Sequence, residues 1–168
     1  MAFIDSVKEA LPDYAKDAKL NLDAVLLRST LNADEAMGCA VAALAATGNG
    51  KLLSVLLADT PVEANAAMTA ASLMAQNNVW YPYVEMAEDE SLKGLPAQLR
   101  MNAIATHGGT TKERFEAYSL AASIVGKCHF CVKAHYDGLK KMGYNVEQLR
   151  DIGRIAAVMN SVAKVLNS

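Results

Sequence analysis

The sequence predicts an all-α fold, and three observations support this prediction. Apolar residues make up 52% of the 168 residues and charged residues 20%, so the chain is globular and long enough to build a hydrophobic core. The apolar excess is largely alanine and only 6% of residues are aromatic, which favours closely packed helices, because strands prefer β-branched and aromatic side chains. Helix-starting and helix-ending residues recur along the chain, whereas no segment shows a convincing strand pattern.

The first three helices follow from local signals. The segment "FIDSVKEAL" predicts a short helix that ends near Pro12, and "DYAKDAKLNLDAVL" predicts a second helix. Asn32 followed by Glu35 resembles a capping box, which predicts that a third helix begins there and runs through Thr47.

Two further helices complete the first half. After a break at "TGNG", the segment "KLLSVLLAD" predicts a short helix. Pro61 lies at the start of a long helical segment, residues 62–84. Pro82 should end or kink this helix, because proline lacks the N–H that an internal helical position uses.

The second half carries similar signals. The segment "AQLRMNAIA" predicts a helix and "THGGTT" a loop. Thr110 with Glu113 makes a second capping box, for a helix that Gly126 ends. A cysteine-bearing segment opens the next helix, which runs to "KKMGYN", and Asn145 caps the last helix, "VEQLRDIGRIAAVMNSVAKVL".

A weak internal similarity suggests two tandem half-repeats. The polar segment "EDESLKGLP" separates the halves, residues 1–90 and 91–168, within one domain of residues 1–168. Sliding the chain by 81 residues lays segment 35–54 on segment 116–135. The paired residues are Glu35 with Glu116, Thr47 with Cys128, Gly50 with Cys131 and Ser54 with His135. Two similarly capped alanine-rich helices also produce such a match, so duplication and coincidence both stay open.

Composition disfavours several classes of protein. With a net charge of −2 and no basic stripe, nucleic-acid binding is not expected. The N-terminal segment carries acids from Asp5 onward and lacks the features of a secretory signal, and the alanine-rich runs are too short and too weakly apolar to span a membrane. Three cysteines without a signal suit a reducing compartment, where a cysteine pair is more often catalytic or metal-binding than structural. We therefore expect a cytoplasmic protein.

The segment "GKCHFCVKAHYDG" concentrates the reactive side chains, with two of the three cysteines and two of the three histidines. At about 100° per residue, Cys128, Cys131 and His135 share one helical face within two turns. His129 points about 100° away from Cys128, and Phe130 faces nearly opposite. Helical phase therefore makes His135, and not His129, the histidine that exchanges protons with the thiols.

A redox dithiol is the interpretation that the local chemistry favours. Gly126 and Lys127 place Cys128 in the first turn of its helix, where unpaired N–H groups and the helix dipole stabilise a thiolate. Lys127 and Lys133 add positive charge. The pKa of the thiol, ordinarily about 8.5, would therefore be lowered, which makes the cysteine a nucleophile at neutral pH. The Cys-x-x-Cys spacing also allows the pair to cycle between dithiol and disulfide.

Three other interpretations of the segment differ in strength. Covalent haem attachment requires a histidine directly after the second cysteine, and Val132 occupies that position, so haem is excluded. Zinc could take three ligands from the motif and a fourth from Glu116 or His129, although no second Cys/His pair exists, because Cys39 and His107 are isolated. An inert helix that happens to carry cysteine and histidine also stays open.

The sequence resembles the alkyl hydroperoxidase D (AhpD) family of the carboxymuconolactone decarboxylase-like superfamily nearly end to end. The similar segments are "ALPDYAKDAKLNL", "MGCAVAALAATGN", "QNNVWY", "LRMNAIA" and above all "FEAYSLAAS…GKCHFCVKAH". The core pattern of the family is a glutamate, eleven residues, and then Cys-x-x-Cys-x-x-x-His. This chain matches the pattern at Glu116, Cys128, Cys131 and His135.

The resemblance implies an all-helical homo-oligomer, usually a homotrimer, that acts as an antioxidant alkyl hydroperoxide reductase. On this basis Cys131 is the nucleophile that attacks the peroxide and becomes a sulfenic acid, and Cys128 is the proton donor and resolving thiol of the same redox disulfide. Glu116 and His135 form the proton relay. No bound cofactor or metal is implied.

The resemblance also implies two redox partners. Dihydrolipoamide, carried on a lipoyl-bearing 2-oxoacid dehydrogenase component, is the electron donor that reduces the disulfide. A peroxiredoxin of the AhpC type is reduced through a mixed disulfide, which falls on Cys131 in this chain.

One position departs from the family pattern. Well-known members carry a histidine directly before the second cysteine, where this chain has Phe130. The neighbouring His129 is turned off the reactive face, so both residues are left out of the catalytic set. We interpret Cys39 as a small buried apolar residue, Met74 as packing and Tyr81 as a core or subunit contact.

Three alternative functions stay open beside the leading one. The first is a general dithiol–disulfide oxidoreductase or redox sensor of the same fold. The second is a zinc-stabilised helical module without enzymatic activity. The third is a decarboxylase-like relative that acts on a lactone acid, but that branch generally lacks the cysteine pair that Cys128 and Cys131 provide.

Overall fold

The computed structural model describes residues 2–167, which fold into nine α-helices and two 3₁₀ segments and contain no strand. The α-helices are α1 (Ala2–Ala10), α2 (Lys16–Leu26), α3 (Ala33–Thr47), α4 (Gly50–Ala58), α5 (Ala64–Ala87), α6 (Glu90–Lys93), α7 (Lys112–Gly126), α8 (His129–Lys141) and α9 (Val146–Val165). The 3₁₀ segments are Asp13–Ala15 and Asn102–Gly109. The predicted all-α fold class is confirmed.

The core is built around α3 and α7, which pack against each other, with α5 and α9 packed on both. Residues 36–44 of α3 are all buried, which explains why this stretch is so rich in alanine: small side chains allow neighbouring helices to approach closely. Gly38 lies at the closest approach, because a Cβ atom there would be 2.4 Å from the ring of Tyr118 on α7. These central helices hold the N-terminus of α8 in place.

Two buried polar contacts join the halves of the chain. Tyr144, between α8 and α9, donates its hydroxyl to Glu35 in the first turn of α3. Glu63, directly before α5, accepts hydrogen bonds of 2.9 Å from Arg114 and from Tyr118 of α7. Burial raises the pKa of Glu35, whereas at Glu63 the hydrogen bonds outweigh burial and lower the pKa. The segment before α5 is therefore hydrogen-bonded to α7, and the segment before α9 is hydrogen-bonded to α3.

The helix caps confirm part of the sequence prediction and correct the rest. Asn32 caps α3 by accepting the N–H of Glu35 at 2.9 Å, but the Glu35 carboxylate is buried in the core and does not complete the predicted capping box. The cap of α7 is Thr111, which accepts an N–H of the first turn at 3.3 Å, so the prediction of Thr110 is wrong by one residue. Asn145 caps α9 with a full capping box.

Two predictions in the middle of the chain need correction. Pro82 was predicted to end or kink its helix, and it does not end the helix: α5 continues through Pro82 to Ala87, since the loss of one main-chain hydrogen bond near a helix end does not stop a helix that already has many turns. Residues 97–101 have no regular structure where a helix was predicted, and the predicted loop at 106–111 largely belongs to a 3₁₀ segment. Left-handed φ angles at His107 and Gly108 break that segment.

The C-terminal part of α5 extends beyond the core. The last buried residue of this helix is Met74. Further along, Val79, Tyr83 and Met86 are 70%, 50% and 76% exposed and lie on one face of the helix, because they are spaced by four and three residues. No helix within residues 2–167, including this longest one, is long and apolar enough to cross a membrane.

The connection between α3 and α4 has the same backbone pattern as that between α7 and α8. Each 15-residue helix is followed by one left-handed residue, Gly48 (φ 78°) or Lys127 (φ 54°), and then by the N-cap, Asn49 or Cys128. Because the helices begin at 33 and 112 and at 50 and 129, both pairs differ by 79 residues. The 81-residue register is therefore wrong by two residues, and Asn49, not Thr47, corresponds to Cys128.

Candidate active site

The N-terminus of α8 positions the first cysteine. Lys127 adopts a left-handed conformation that ends α7, and Cys128 is the N-cap of α8. The Sγ atom of Cys128 accepts the N–H of Cys131 at 3.2 Å, and the N–H of Cys128 is donated to the carbonyl of Ser123 at 3.4 Å. Cys128 thus precedes the predicted first turn by one residue. An N-cap sulfur faces the unpaired N–H groups of the helix, which stabilise negative charge on it.

The two cysteines of the motif are joined as a disulfide. The bond links Cys128 to Cys131 across a Cα–Cα distance of 5.2 Å. Both residues are buried, with exposures of 0% and 2%. The third cysteine, Cys39, lies in the core of α3, where burial raises the pKa of its thiol well above the ordinary value. A thiol of that kind is inert, so Cys39 stands apart from the redox pair.

The glutamate and the histidine of the motif form a close pair across α7 and α8. Nδ1 of His135 lies 2.7 Å from Oε2 of Glu116. Both side chains are largely buried, which strengthens their electrostatic attraction relative to a surface pair. Gly138, one turn further along α8, also lies beside this carboxylate, and a Cβ atom there would make an ordinary contact of 3.6 Å with it. The structure therefore joins the four residues that the sequence singles out as two pairs, Cys128 with Cys131 and Glu116 with His135, with His135 one turn after Cys131 on α8.

Helix α5 contributes residues that sequence analysis did not assign to the site. Nε2 of His135 lies 3.1 Å from the Sδ atom of Met74, and the carbonyl oxygen of Asn77 lies 3.8 Å from Sγ of Cys128. Asn78 donates its side-chain N–H to the carbonyl of Ala122 at 3.2 Å. The polar pair "NN" in an otherwise alanine-rich helix is the signal that could have indicated this face. The interpretation of Met74 as packing is incomplete, because it also contacts the imidazole ring.

The residues between the two cysteines lie outside the reactive face. His129 is 85% exposed, and its Nδ1 is 3.7 Å from a carboxylate oxygen of Glu85 on α5. The ring of Phe130 stacks on Tyr81 with centroids 4.1 Å apart, so Tyr81 is a neighbour of the reactive helix. This geometry agrees with the helical phase. Within residues 2–167, no group of three or more His, Cys, Asp or Glu side chains is placed to hold a metal ion.

A shallow groove of about 270 Å³ lies beside the disulfide. Its lining residues are Lys127, Cys128, His129, Val132, Lys133 and Tyr136. The Lys133 ammonium pairs with Asp137 at 2.5 Å, and Lys127 follows the end of α7. Of the residues of the motif that the sequence singles out, this groove contacts Cys128.

The chain is similar to known proteins of one family. The model of the carboxymuconolactone decarboxylase family matches residues 91–168, the part of the chain that holds α7, α8 and α9. Proteins called alkyl hydroperoxide reductase AhpD are similar over almost the whole chain. The one from Coxiella burnetii (strain RSA 493 / Nine Mile phase I) is 40% identical over 170 residues, which cover 96% of each chain. The proteins from Rhodospirillum centenum and Anaeromyxobacter dehalogenans (strain 2CP-C) are also 40% identical, over 98% and 99% of this chain and 91% of their own.

Proposed function

Since this chain belongs to the AhpD group of the carboxymuconolactone decarboxylase-like family, we propose that it is an antioxidant alkyl hydroperoxide reductase with a Cys-x-x-Cys redox pair. The observation that carries the proposal is the Cys128–Cys131 disulfide at the start of α8, with His135 one turn after Cys131 and paired with Glu116 of α7. A pair of sulfurs that can exchange two electrons, next to side chains that can exchange a proton, is what peroxide reduction requires.

In the proposed peroxide step, the Cys131 thiolate attacks the terminal oxygen of the hydroperoxide. The O–O bond breaks, Cys131 becomes a sulfenic acid, and the leaving alkoxide takes a proton from the Cys128 thiol. The Cys128 thiolate then attacks the sulfenic sulfur, which forms the disulfide and releases hydroxide that is protonated to water. The helix N-terminus favours this second step, because it stabilises the Cys128 thiolate from which the attack occurs.

We propose that the disulfide is reduced by attack of a donor thiolate on Cys131. The N-cap geometry supports this direction, because the leaving sulfur is then Cys128, whose negative charge is stabilised by the N–H of Cys131. Dihydrolipoamide on a lipoyl-bearing 2-oxoacid dehydrogenase component is the proposed donor, and a peroxiredoxin of the AhpC type is the proposed partner that forms a mixed disulfide on Cys131. The AhpD name of the relatives supports a partner of the AhpC system in general, and the donor assignment rests on the family resemblance of the sequence.

Steady-state assays of peroxide reduction test the proposal directly. We expect turnover with dihydrolipoamide and little with thioredoxin as the alternative donor. Cys131→Ser removes the nucleophile and should abolish turnover, whereas Cys39→Ala, a change in a buried cysteine outside the site, should leave it intact. Undiminished turnover by Cys131→Ser would reject the nucleophile assignment. Turnover that is supported equally by thioredoxin would instead favour a general dithiol–disulfide oxidoreductase.

We further propose that the protein is a homotrimer that uses the exposed end of α5. The apolar stripe of Val79, Tyr83 and Met86 would be covered by another subunit, and α5 also carries Tyr81, which stacks on the reactive helix. Light scattering on the intact protein should give three times the chain mass of 17.9 kDa. Val79→Glu with Met86→Glu should shift the mass to that of a single chain, and a trimer that survives both changes would place the interface elsewhere.

A further inference from the structure

We propose that Met74 is a positioning residue of the proton relay: its thioether holds the proton on Nε2 of His135 while the cysteines are joined as a disulfide. The inference rests on the proposed function and adds a residue to it. Met74 is 1% exposed, on the face of α5 that meets α8. Burial alone would make it a packing residue, but its contact is with the reactive ring.

The contact has only one consistent hydrogen-bond assignment. Nδ1 of His135 lies 2.7 Å from Glu116, and Nε2 lies 3.1 Å from the sulfur of Met74. A thioether accepts hydrogen bonds and has no proton to donate, so a hydrogen bond at this distance requires a proton on Nε2. A ring without that proton would direct its Nε2 lone pair at the lone pairs of the sulfur.

This assignment fixes the number of protons that the relay carries. If Nδ1 is also protonated, His135 is an imidazolium beside a Glu116 carboxylate. If Nδ1 is free, Glu116 is a carboxylic acid that donates to it. In both cases the two residues together carry two protons, one more than a carboxylate beside a neutral imidazole, so the relay holds one transferable proton in the disulfide state.

Nε2 of His135 contacts the sulfur of Met74. From α7 the ring faces Glu116, and from α5 it faces Met74, whose sulfur also lies 3.9 Å from the amide nitrogen of Asn77. Several charged side chains on the neighbouring helices contact other groups: Arg114 of α7 contacts Glu63, Lys133 contacts Asp137 and His129 contacts Glu85 near the start of α8, and Arg150 and Arg154 contact Asp151 on α9.

The stored proton has a defined destination when the disulfide opens. A donor thiolate attacks Cys131, the S–S bond breaks, and its electron pair passes to Cys128. In the proposed sequence the His135 ring then releases its Nε2 proton from the hydrogen bond with Met74, and the Cys128 sulfur takes up one proton, either through a bound water or after the open site rearranges. The second donor thiol gives its proton to the Glu116–His135 pair and attacks the mixed disulfide, which releases Cys131 as a thiolate. The products are the oxidised donor, a Cys128 thiol and a Cys131 thiolate, the form that the peroxide step needs.

The wild-type protein itself supplies the first test. Long-range ¹H–¹⁵N correlation spectra of the oxidised, ¹⁵N-labelled protein distinguish protonated from unprotonated ring nitrogens. The chain has three histidines, and the spectrum of His135→Gln identifies the signals of His135. We expect Nε2 of His135 to be protonated at neutral pH. An unprotonated Nε2 in the oxidised protein would overturn the proposal without any variant of Met74.

A matched pair of variants separates a positioning role from packing. Met74→Leu keeps a side chain of similar volume and removes the acceptor, and Met159→Leu makes the same change at a buried methionine on α9. In Met74→Leu the ratio of Nε2-protonated to Nε2-free His135 rings should fall about threefold, the scale of one weak hydrogen bond. Met159→Leu should leave this ratio unchanged. An unchanged ratio in both variants would show that Met74 only packs.

The rate of disulfide reduction provides a second readout. With dithiothreitol as the donor, Met74→Leu should open the disulfide about threefold more slowly, whereas Met159→Leu should open it at the wild-type rate. Equal rates in the two variants would contradict the proposal. This assay uses neither dihydrolipoamide nor peroxide, so a failed donor assignment and a failed role for Met74 are distinguishable.

Discussion

The α3–α4 connection and the α7–α8 connection place an N-cap side chain at the same backbone position and use it differently. In the first, Asn49 accepts the N–H of Leu52 at 3.0 Å and donates to the carbonyl of Ala163 at 3.0 Å. In the second, Cys128 accepts the N–H of Cys131 at 3.2 Å and is bonded to it. Asn49 thus caps α4 and hydrogen-bonds to α9, whereas Cys128 caps α8 and forms the disulfide.

The other reactive residues of the site also differ chemically from their counterparts in the first half. In the 79-residue register the counterparts of Glu116, Cys131 and His135 are Met37, Leu52 and Leu56. All three counterparts are buried and apolar. The comparison indicates that the fold supplies a left-handed residue, an N-cap and a helix N-terminus in both halves. The chemistry depends on the side chains that only the second half carries.

Moving the cysteine pair to the first half gives the largest expected effect. Asn49→Cys with Leu52→Cys, in a chain that also carries Cys128→Ser and Cys131→Ser, should form a disulfide at the shared backbone position. Peroxide turnover should stay more than about a hundredfold below the wild-type value, because Met37 and Leu56 cannot transfer protons. Mass spectrometry counts the disulfide, and circular dichroism checks the fold. Turnover near the wild-type level would show that the helix terminus alone is sufficient.

Removing the Glu116 carboxylate tests whether the proton-transferring side chains of the second half are required for turnover. Glu116→Gln keeps the shape but cannot hold a transferable proton for His135, so peroxide turnover should fall about a hundredfold, within the range for general acid–base catalysis. Glu113→Gln, in the first turn of the same helix, is the control and should have little effect. Equal turnover in both variants would remove Glu116 from the relay.

Replacing Asn49 tests the structural role of the N-cap in the first half. Asn49→Ala removes the cap of α4 and leaves the Ala163 carbonyl without its donor, so the free energy of unfolding should fall by about 2 kcal/mol. Asn145→Ala removes an exposed cap with no comparable tertiary bond and should have an effect of about 1 kcal/mol. Denaturant unfolding measures both values. Equal values would mean that the bond to Ala163 contributes nothing.

Local signals predicted much of this architecture, and tertiary contacts explain most of the differences. Asn32 and Asn145 were recognised as caps because capping depends on residues close in sequence. Glu35 was misread, because its partner Tyr144 lies 109 residues away and no local pattern reveals it. Cys131 and His135 lie on one helix, as predicted, because helix formation there also depends on residues close in sequence.

The part of the site that sequence analysis missed comes from another helix. Met74 contacts His135 across 61 residues of chain, a separation over which helical spacing carries no information. The register of the half-repeats was misplaced for a related reason. Sequence matching aligned glutamates, whereas the backbone aligns a left-handed residue and an N-cap, and Asn49 and Cys128 share that role without chemical similarity.

The left-handed residue of each connection gives the smallest expected effect. Gly48→Ala places a Cβ atom where no heavy atom lies within 4 Å, so only the left-handed backbone opposes it and the free energy of unfolding should fall by about 1 kcal/mol. Lys127→Gly is the reverse change at the second connection and should raise the free energy of unfolding by up to about 1 kcal/mol. Thermal or denaturant unfolding of both variants measures the pair.

The control for this pair is Gly153→Ala in α9, where alanine also meets no neighbour but the backbone is helical. That change should stabilise the protein by about 1 kcal/mol, opposite in sign to Gly48→Ala, because alanine is the better helix former. If Lys127→Gly destabilises the protein while Gly48→Ala is neutral, the two connections do not share a conformation. Opposite signs at Gly48 and Lys127 would instead support one backbone motif, with a lysine retained beside the disulfide despite its strained conformation.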